Sequence, residues 1–263
     1  MKKQIVANQI KIAYQIDGPE QGPVVIMSNS LMSSLEMWDQ TISALTDRYR
    51  VVRYDTRGHG QSQVTDGPYS IALLAEDLVA LMDALNINQA HLVGLSMGGM
   101  ICQYIGANYP ERALSLSLCD TASEMPPRSM WEERFAIAKS QGIAGLVDGT
   151  IKRWFLGDFI NRATEQINTV RKMILATPVD GYLGCASAVR DMAQSTMLLK
   201  IKAPTMVLVG KQDPACTVDQ ATVLHRLIQH SSLVVIDQAA HLSNIEQPKA
   251  FNHALRGFLD SVA

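Results

Sequence analysis

The hydrophobic pattern of this chain alternates between two periods. Near the start, Ile10, Ile12, Tyr14 and Ile16 alternate with polar or small residues, which predicts an edge strand hairpinned with Gln4 to Ala7. Val24-Val25-Ile26-Met27 is instead continuously apolar behind Gly22-Pro23, as a strand buried on both faces requires. Trp38 to Leu45 reads as helical and Tyr49 to Tyr54 as a strand. Ile71, Leu74, Leu78, Leu81, Met82 and Leu85 recur at helical spacing behind Ser70, a candidate cap. Ala90 to Leu95 is another apolar strand, and Met100, Ile101, Tyr104 and Ile105 form the apolar side of a helix closed by Pro110. Leu114, Leu116 and Leu118 add a strand. Thr205 to Val209, a helix over Val218 to Ile228, and Leu233 to Ile236 follow later. Pro248 opens a last helix with Phe251, Leu255, Phe258 and Leu259 on its inner face. Strands alternating with helices in this way predict an α/β fold around a doubly wound, mostly parallel sheet.

The rhythm breaks after Thr121. From residue 123 to about 200 the chain carries Met125-Pro-Pro127 and three helical stretches, Met130 to Lys139, Ile143 to Phe155 and Thr164 to Leu175, without a strand. Three large aromatics, Trp131, Trp154 and Phe155, fall there in a chain that is only 6% aromatic. The expected organisation is a core of residues 1–122 and 201–263, with 123–200 inserted as a helical cap. No repeat, low-complexity stretch or linker interrupts it.

Composition narrows the function classes. At 263 residues, 47% hydrophobic, 18% charged and net charge -2, the chain suits one globular enzyme and offers no basic run for nucleic acid. No apolar segment approaches the ~18 residues of a membrane span, and the charged N-terminus has no long apolar stretch behind it, so a membrane partner and a secretory signal are not expected. Cys102, Cys119, Cys185 and Cys216 show no C-x-x-C spacing and read as reduced thiols of a cytoplasmic protein. The six histidines form no H-x-x-x-H or H-E-x-x-H pair, so no metal site is expected.

The chemistry gathers at Gly94-Leu95-Ser96-Met97-Gly98, a G-x-S-x-G pentapeptide between a predicted strand and a predicted helix. That context marks a nucleophile elbow: the serine sits on a strained turn that lifts its hydroxyl off the sheet, and side chains at 94 and 98 would collide with the turn. A serine needs a base, and the base an orienting carboxylate. In strand–elbow–helix hydrolases the order is Ser, acid, His, with the last two on loops after later strands. His241, a few residues past the final strand, has that order and place; His225, His230 and His253 belong to helices or their ends, His91 starts the elbow strand, and His59 reads as a turn brace. Asp213, after the strand Thr205 to Val209, is the candidate acid, with Asp120, after the strand ending at Cys119, as the alternative. The oxyanion hole is expected from the backbone N–H of Met97 and of Leu31, in the polar loop Ser28 to Ser34. Each such donor typically contributes about 2.7 to 4 kcal/mol to the transition state.

Along nearly its whole length the chain resembles the 3-oxoadipate enol-lactonases of the α/β-hydrolase superfamily. The resemblance is carried by Ser28-Asn-Ser-Leu31 with Met37-Trp-Asp39, by Tyr54-Asp-Thr-Arg-Gly-His-Gly60 and by Gly94-Leu-Ser-Met-Gly-Gly-Met100. It continues through Arg153-Trp-Phe155, Gly181-Tyr-Leu-Gly-Cys185 with Arg190-Asp191, Asp213-Pro-Ala215, and Ala240-His-Leu-Ser-Asn-Ile-Glu-Gln-Pro248. The elbow and the Arg-Gly-His-Gly turn are shared across the superfamily; the later motifs are more telling. The resemblance implies a triad of Ser96, Asp213 and His241 and hydrolysis of a five-membered enol lactone to 3-oxoadipate in aromatic-compound degradation (the β-ketoadipate pathway), without a cofactor. One departure stands out: the family commonly has Gly-Thr after the oxyanion-loop leucine, where this chain has Met32-Ser33. The substrate's free carboxylate calls for a cation, with Arg134 and Lys139, five apart on the helix carrying Trp131, as candidates and Arg190 in reserve. Trp131 and Trp154 are candidates to wall the pocket or, equally, to pack the cap. Rival readings are a carboxylesterase, a perhydrolase or a C–C bond hydrolase on the same scaffold, and a ligand receptor with a retained triad. Oligomeric state is not legible.

Overall fold

The N-terminal hairpin pairs β1 (Lys3–Ala7) with β2 (Ile10–Asp17) in antiparallel register, Lys3 opposite Tyr14 and Ala7 opposite Ile10. In the computed structural model, which describes residues 2–125 and 127–263, this hairpin forms one edge of an eight-stranded sheet. Met1 of the N-terminal stretch and Pro126 of the Met125-Pro-Pro127 break lie outside the described residues.

The strands run in the order β1-β2-β4-β3-β5-β6-β7-β8, with β3 (Val24–Ser28), β4 (Arg50–Tyr54), β5 (Ala90–Leu95), β6 (Ala113–Cys119), β7 (Thr205–Gly210) and β8 (Ser231–Ile236). All pairings from β4 onward are parallel; β2 meets β4 antiparallel. Every residue of β5 and of β7 is buried, whereas β8, at the far edge, is half exposed. The continuous apolar runs thus mark the strands covered on both faces.

The helices follow from spacing and caps. A 3-10 turn, Leu35–Trp38, runs into the four-residue α1 (Asp39–Ile42), so the helix expected over Trp38 to Leu45 starts earlier and ends sooner. Its first turn is held by Asp55, whose carboxylate accepts the Leu35 N–H at 2.8 Å. α2 (Ile71–Ala84) buries Ile71, Leu74, Leu78, Leu81 and Met82, and the Ser70 hydroxyl accepts the Leu73 N–H. α3 (Met97–Asn108) leaves the end of β5 and packs on β3, β5 and β6.

Between β6 and β7 come α4 (Arg128–Gln141), α5 (Ala144–Trp154), α6 (Gly157–Arg162), α7 (Thr164–Leu175) and α8 (Val179–Asp191), which pack largely on one another. Trp131, Trp154 and Phe155 are buried there. The segment is pinched at its base: Glu124 and Ala193 form a β-bridge, and Gln194 donates its N–H to Ser123 O at 2.9 Å. α9 (Val218–Leu227) then packs on β7 and β8. A short α10 (Ser243–Glu246) leads to α11 (Pro248–Val262), which buries Phe251, Leu255 and Leu259 while Phe258 is only partly covered. Among the described residues no helix is long and apolar enough to cross a membrane.

Candidate active site

Four strand ends converge on one cavity. Ser96, between β5 and α3, adopts φ 56° and ψ -117°, a conformation that a non-glycine residue holds only when its surroundings enforce it. Two contacts enforce it: the Ser96 N–H donates to Cys119 O at 2.9 Å, and its carbonyl accepts the Thr121 hydroxyl at 2.7 Å. The glycines of the motif are steric necessities. A Cβ on Gly94 would lie 2.2 Å from the Gly98 carbonyl oxygen, and one on Gly98 would lie 2.1 Å from that of Ser28.

His241 and Asp213 meet beside the same cavity. The loop after β7 folds so that one Asp213 oxygen, Oδ1, accepts the N–H groups of Ala215 (2.7 Å) and Cys216 (3.0 Å). The other, Oδ2, lies 2.8 Å from His241 Nδ1, with both residues buried. Burial alone would push the imidazole pKa down; the charge and hydrogen bond of Asp213 overcome this and hold it above its ordinary value. Asp120 does not reach the imidazole: its oxygens accept the Gly210 N–H at 2.7 Å and the Ser243 hydroxyl at 2.5 Å. Burial, and then the neighbouring Asp213 charge, raise the Asp120 pKa.

The loop after β3 supplies the opposite wall. Leu31 and Met97, whose N–H groups are the expected oxyanion donors, are both buried, and among the described residues neither N–H donates to another protein group. His59 braces this loop: its Nε2 accepts the Met32 N–H at 3.0 Å while Nδ1 faces Arg57 O at 3.3 Å. Full burial lowers its pKa to about 4, so the ring is neutral and Nε2 is free to accept.

The cavity, about 90 Å³ and mostly apolar, is lined from below by Ser96, His241, Leu31 and Met32 and from above by Trp131, Arg134, Arg153 and Trp154. Both tryptophans therefore face it, and Trp154 also lies 6.4 Å, ring to ring, from His241. Of the candidate cations, only Arg134 reaches this cavity. It stacks over Trp131 and donates to the Tyr182 hydroxyl at 3.1 Å. Lys139 is a turn further along α4 and lines a different, polar cavity with Asp180 and Glu132, so its expected place here is corrected. Arg190 lines that other cavity too and is paired with Glu132 and Asp191.

Arg153 is the cation that sequence reasoning passed over. It sits in the last turn of α5, next to Trp154, and like Arg134 has no acid partner among the described residues. Burial, and then the nearby Arg134, lower its pKa to about 10, which still leaves it charged at neutral pH. Its place beside Trp154, rather than any helical spacing from Arg134, was the available signal.

Asp213, Cys216 and His241 also bring a carboxylate oxygen, a thiol and a ring nitrogen within 4.8 Å of one another. Burial holds the Cys216 thiol pKa well above its ordinary value, so it is a neutral thiol rather than a thiolate ligand, and Nδ1 is already engaged by Asp213. What the arrangement suits is proton transfer at His241, which lines the same cavity as the buried turn serine Ser96.

Comparison with known proteins identifies the family of the fold. Residues 23–248 match the model of the α/β hydrolase fold family. The chain is 36% identical over 258 residues to 3-oxoadipate enol-lactonase 2 of Acinetobacter baylyi, covering 98% of this chain and 96% of that protein. The crystal structure of the enol-lactonase from Burkholderia xenovorans superposes with a TM-score of 0.96 at 34% identity, over 98% of this chain and all (100%) of that one. A thermophilic esterase from Thermogutta terrifontis, solved with malate bound, reaches 0.92 at 29% identity, over 100% of this chain and 99% of its own. A serine on a strained strand–helix turn, followed in the chain by the buried acid–imidazole pair after β7 and β8, is thus set in a chain that belongs to the α/β hydrolase fold family.

Proposed function

We propose that this chain hydrolyses 3-oxoadipate enol-lactone by a serine acyl-enzyme route. Ser96 Oγ attacks the ring carbonyl as His241 Nε2 takes its proton, with Asp213 holding the imidazole and stabilising the imidazolium. The Leu31 and Met97 N–H groups receive the developing oxyanion. The ring C–O bond breaks, the departing enol oxygen takes the proton from His241, and the enol tautomerises to the ketone. Water, losing its proton to His241, then cleaves the acyl ester and frees Ser96. Arg134 and Arg153 hold the substrate's free carboxylate, and Trp131 and Trp154 wall the ring.

The observation that carries this reading is the pair of arginines, without acid partners among the described residues, in the apolar cavity that Ser96 and His241 share. A cation kept partly out of water without a counter-ion is costly unless an anionic ligand supplies one. The relatives named as 3-oxoadipate enol-lactonases support the lactone's carboxylate as that anion. We place residues 1–122 and 201–263 in the catalytic core and 123–200 in a cap over it, with the bridge between Glu124 and Ala193 near the cap's base. The four buried free thiols suit the cytoplasm.

The test follows the ultraviolet absorbance of the enol lactone with purified protein and with Ser96→Ala. The wild type should consume the lactone and the variant should not. Cleavage of aryl esters with the lactone untouched would overturn the lactonase reading while leaving a serine hydrolase. That outcome would favour a carboxylesterase, the reading supported by the apolar lining and by the esterase relative.

A further inference from the structure

Met32 is a non-glycine residue in the left-handed region, at φ 63°, and is wholly buried. In that conformation Cβ crowds the backbone, and glycine would adopt it without cost. A side chain kept there needs a reason, and its surroundings point to one. Met32 follows the oxyanion-loop residue Leu31, its N–H is anchored on His59 Nε2 at 3.0 Å, and it lines the Ser96 cavity. Its sulfur accepts from Arg134 Nη2 at 3.8 Å, while Arg134 Nε donates to the Tyr182 hydroxyl.

We propose that Met32 is the specificity-determining residue of this pocket: its side chain narrows the cavity and holds Arg134 against it, so that a long acyl chain fits beside Ser96 only when it ends in a carboxylate that Arg134 can pair. The limit on uncharged chains stands whatever the natural substrate is; the part concerning Arg134 and a terminal carboxylate rests on the lactone reading above. The left-handed backbone is what aims the side chain inward. With the N–H fixed to His59 the loop cannot rotate it away, and the remaining cavity of about 90 Å³ has little room to give. A pocket discriminates by roughly 10-fold or more for each methylene it admits or rejects, so removing a whole thioether chain should change chain-length preference measurably.

The experiment measures kcat/KM for 4-nitrophenyl acetate, butyrate and hexanoate, and separately for the enol lactone, with the wild type, Met32→Gly and Met32→Ala. Wild type should prefer acetate to hexanoate by about tenfold or more. Met32→Gly should raise the hexanoate-to-acetate ratio at least about tenfold and raise KM for the lactone as Arg134 loses its contact. Met32→Ala keeps Cβ, and hence the backbone restriction, so it must shift the ester ratio in the same direction even if glycine loosens the loop. An unchanged ester ratio in Met32→Ala overturns the proposal. Failure of every protein on the lactone, with esters still cleaved, sinks the lactone reading and leaves the ester ratio to decide the role of Met32.

Discussion

Asp213→Asn tests the pairing at the centre of the proposed chemistry, and its effect can be worked out atom by atom. Asp213 Oδ1 is held by the N–H groups of Ala215 and Cys216. An asparagine there must turn its carbonyl oxygen to those two donors, which leaves its NH₂ facing His241 Nδ1 across the present 2.8 Å contact. Nδ1 then has to accept, and the ring proton moves to Nε2, the atom that must be free to take the proton of Ser96. The wrong tautomer in an intact frame lowers kcat by about 10⁴ in serine hydrolases, or roughly 5.5 kcal/mol in the barrier. With the Asp213 carboxylate gone, only the more distant Asp120 charge still opposes burial, so the imidazole pKa should drop and the acid limb of the kcat/KM profile should move to lower pH. The assay is steady-state turnover of an aryl ester and of the enol lactone, with circular dichroism to verify the fold. Asp120→Asn is the control, because that carboxylate contacts Gly210 and Ser243 and not the imidazole. It should keep kcat within about tenfold of wild type, since its effect is limited to a longer-range charge. A folded Asp213→Asn that retains more than a tenth of wild-type kcat, or an Asp120→Asn that loses as much, would refute the reasoning.

Arg153→Met removes a partly buried cation that has no acid partner among the described residues, so it should raise the unfolding midpoint. It should also raise KM for the lactone roughly 10- to 100-fold, the worth of one charge-assisted hydrogen bond, with KM for a neutral ester little changed; equal effects on both substrates would remove Arg153 from carboxylate binding. Asp77→Ala strands the buried Arg57, which now holds that carboxylate at 2.7 and 2.6 Å, and should cost about 3 to 5 kcal/mol in urea unfolding; a loss under about 1 kcal/mol would show that the pair contributes little. For Asp120 the folded pKa is raised while the unfolded one stays near ~3.9, so the unfolded chain gives up the proton first and stability falls as pH climbs through that window. Asp120→Asn should flatten the decline in urea midpoint between about pH 4 and about pH 8, and an unchanged slope would contradict the assignment.

Much of the architecture is local in origin and therefore legible from residue order. The apolar runs of β3, β5 and β7, the stripe of α2 behind Ser70, and Pro248 at the head of α11 each depend on neighbours a few residues away. The elbow belongs to the same class, because glycines at 94 and 98 state the steric demand of the turn in the motif itself. The early helix begins ahead of the stretch its spacing predicts because Asp55, a residue from another strand's end, organises its first turn.

The chain alone thus determined the strands and most helices of the core, in order, and that a serine, a later acid and a still later histidine would stand at strand ends, but not the cap helices α6 and α8. Only the tertiary structure decided which carboxylate faces His241, that Arg153 rather than Lys139 joins Arg134 over the cavity, and that Met32 is turned inward. Those are distances across the fold, between Asp213 and His241 or between α4, α5 and the loop after β3. Helical and strand periodicity specify which side of an element is apolar, but not the rotation and offset at which one element meets another.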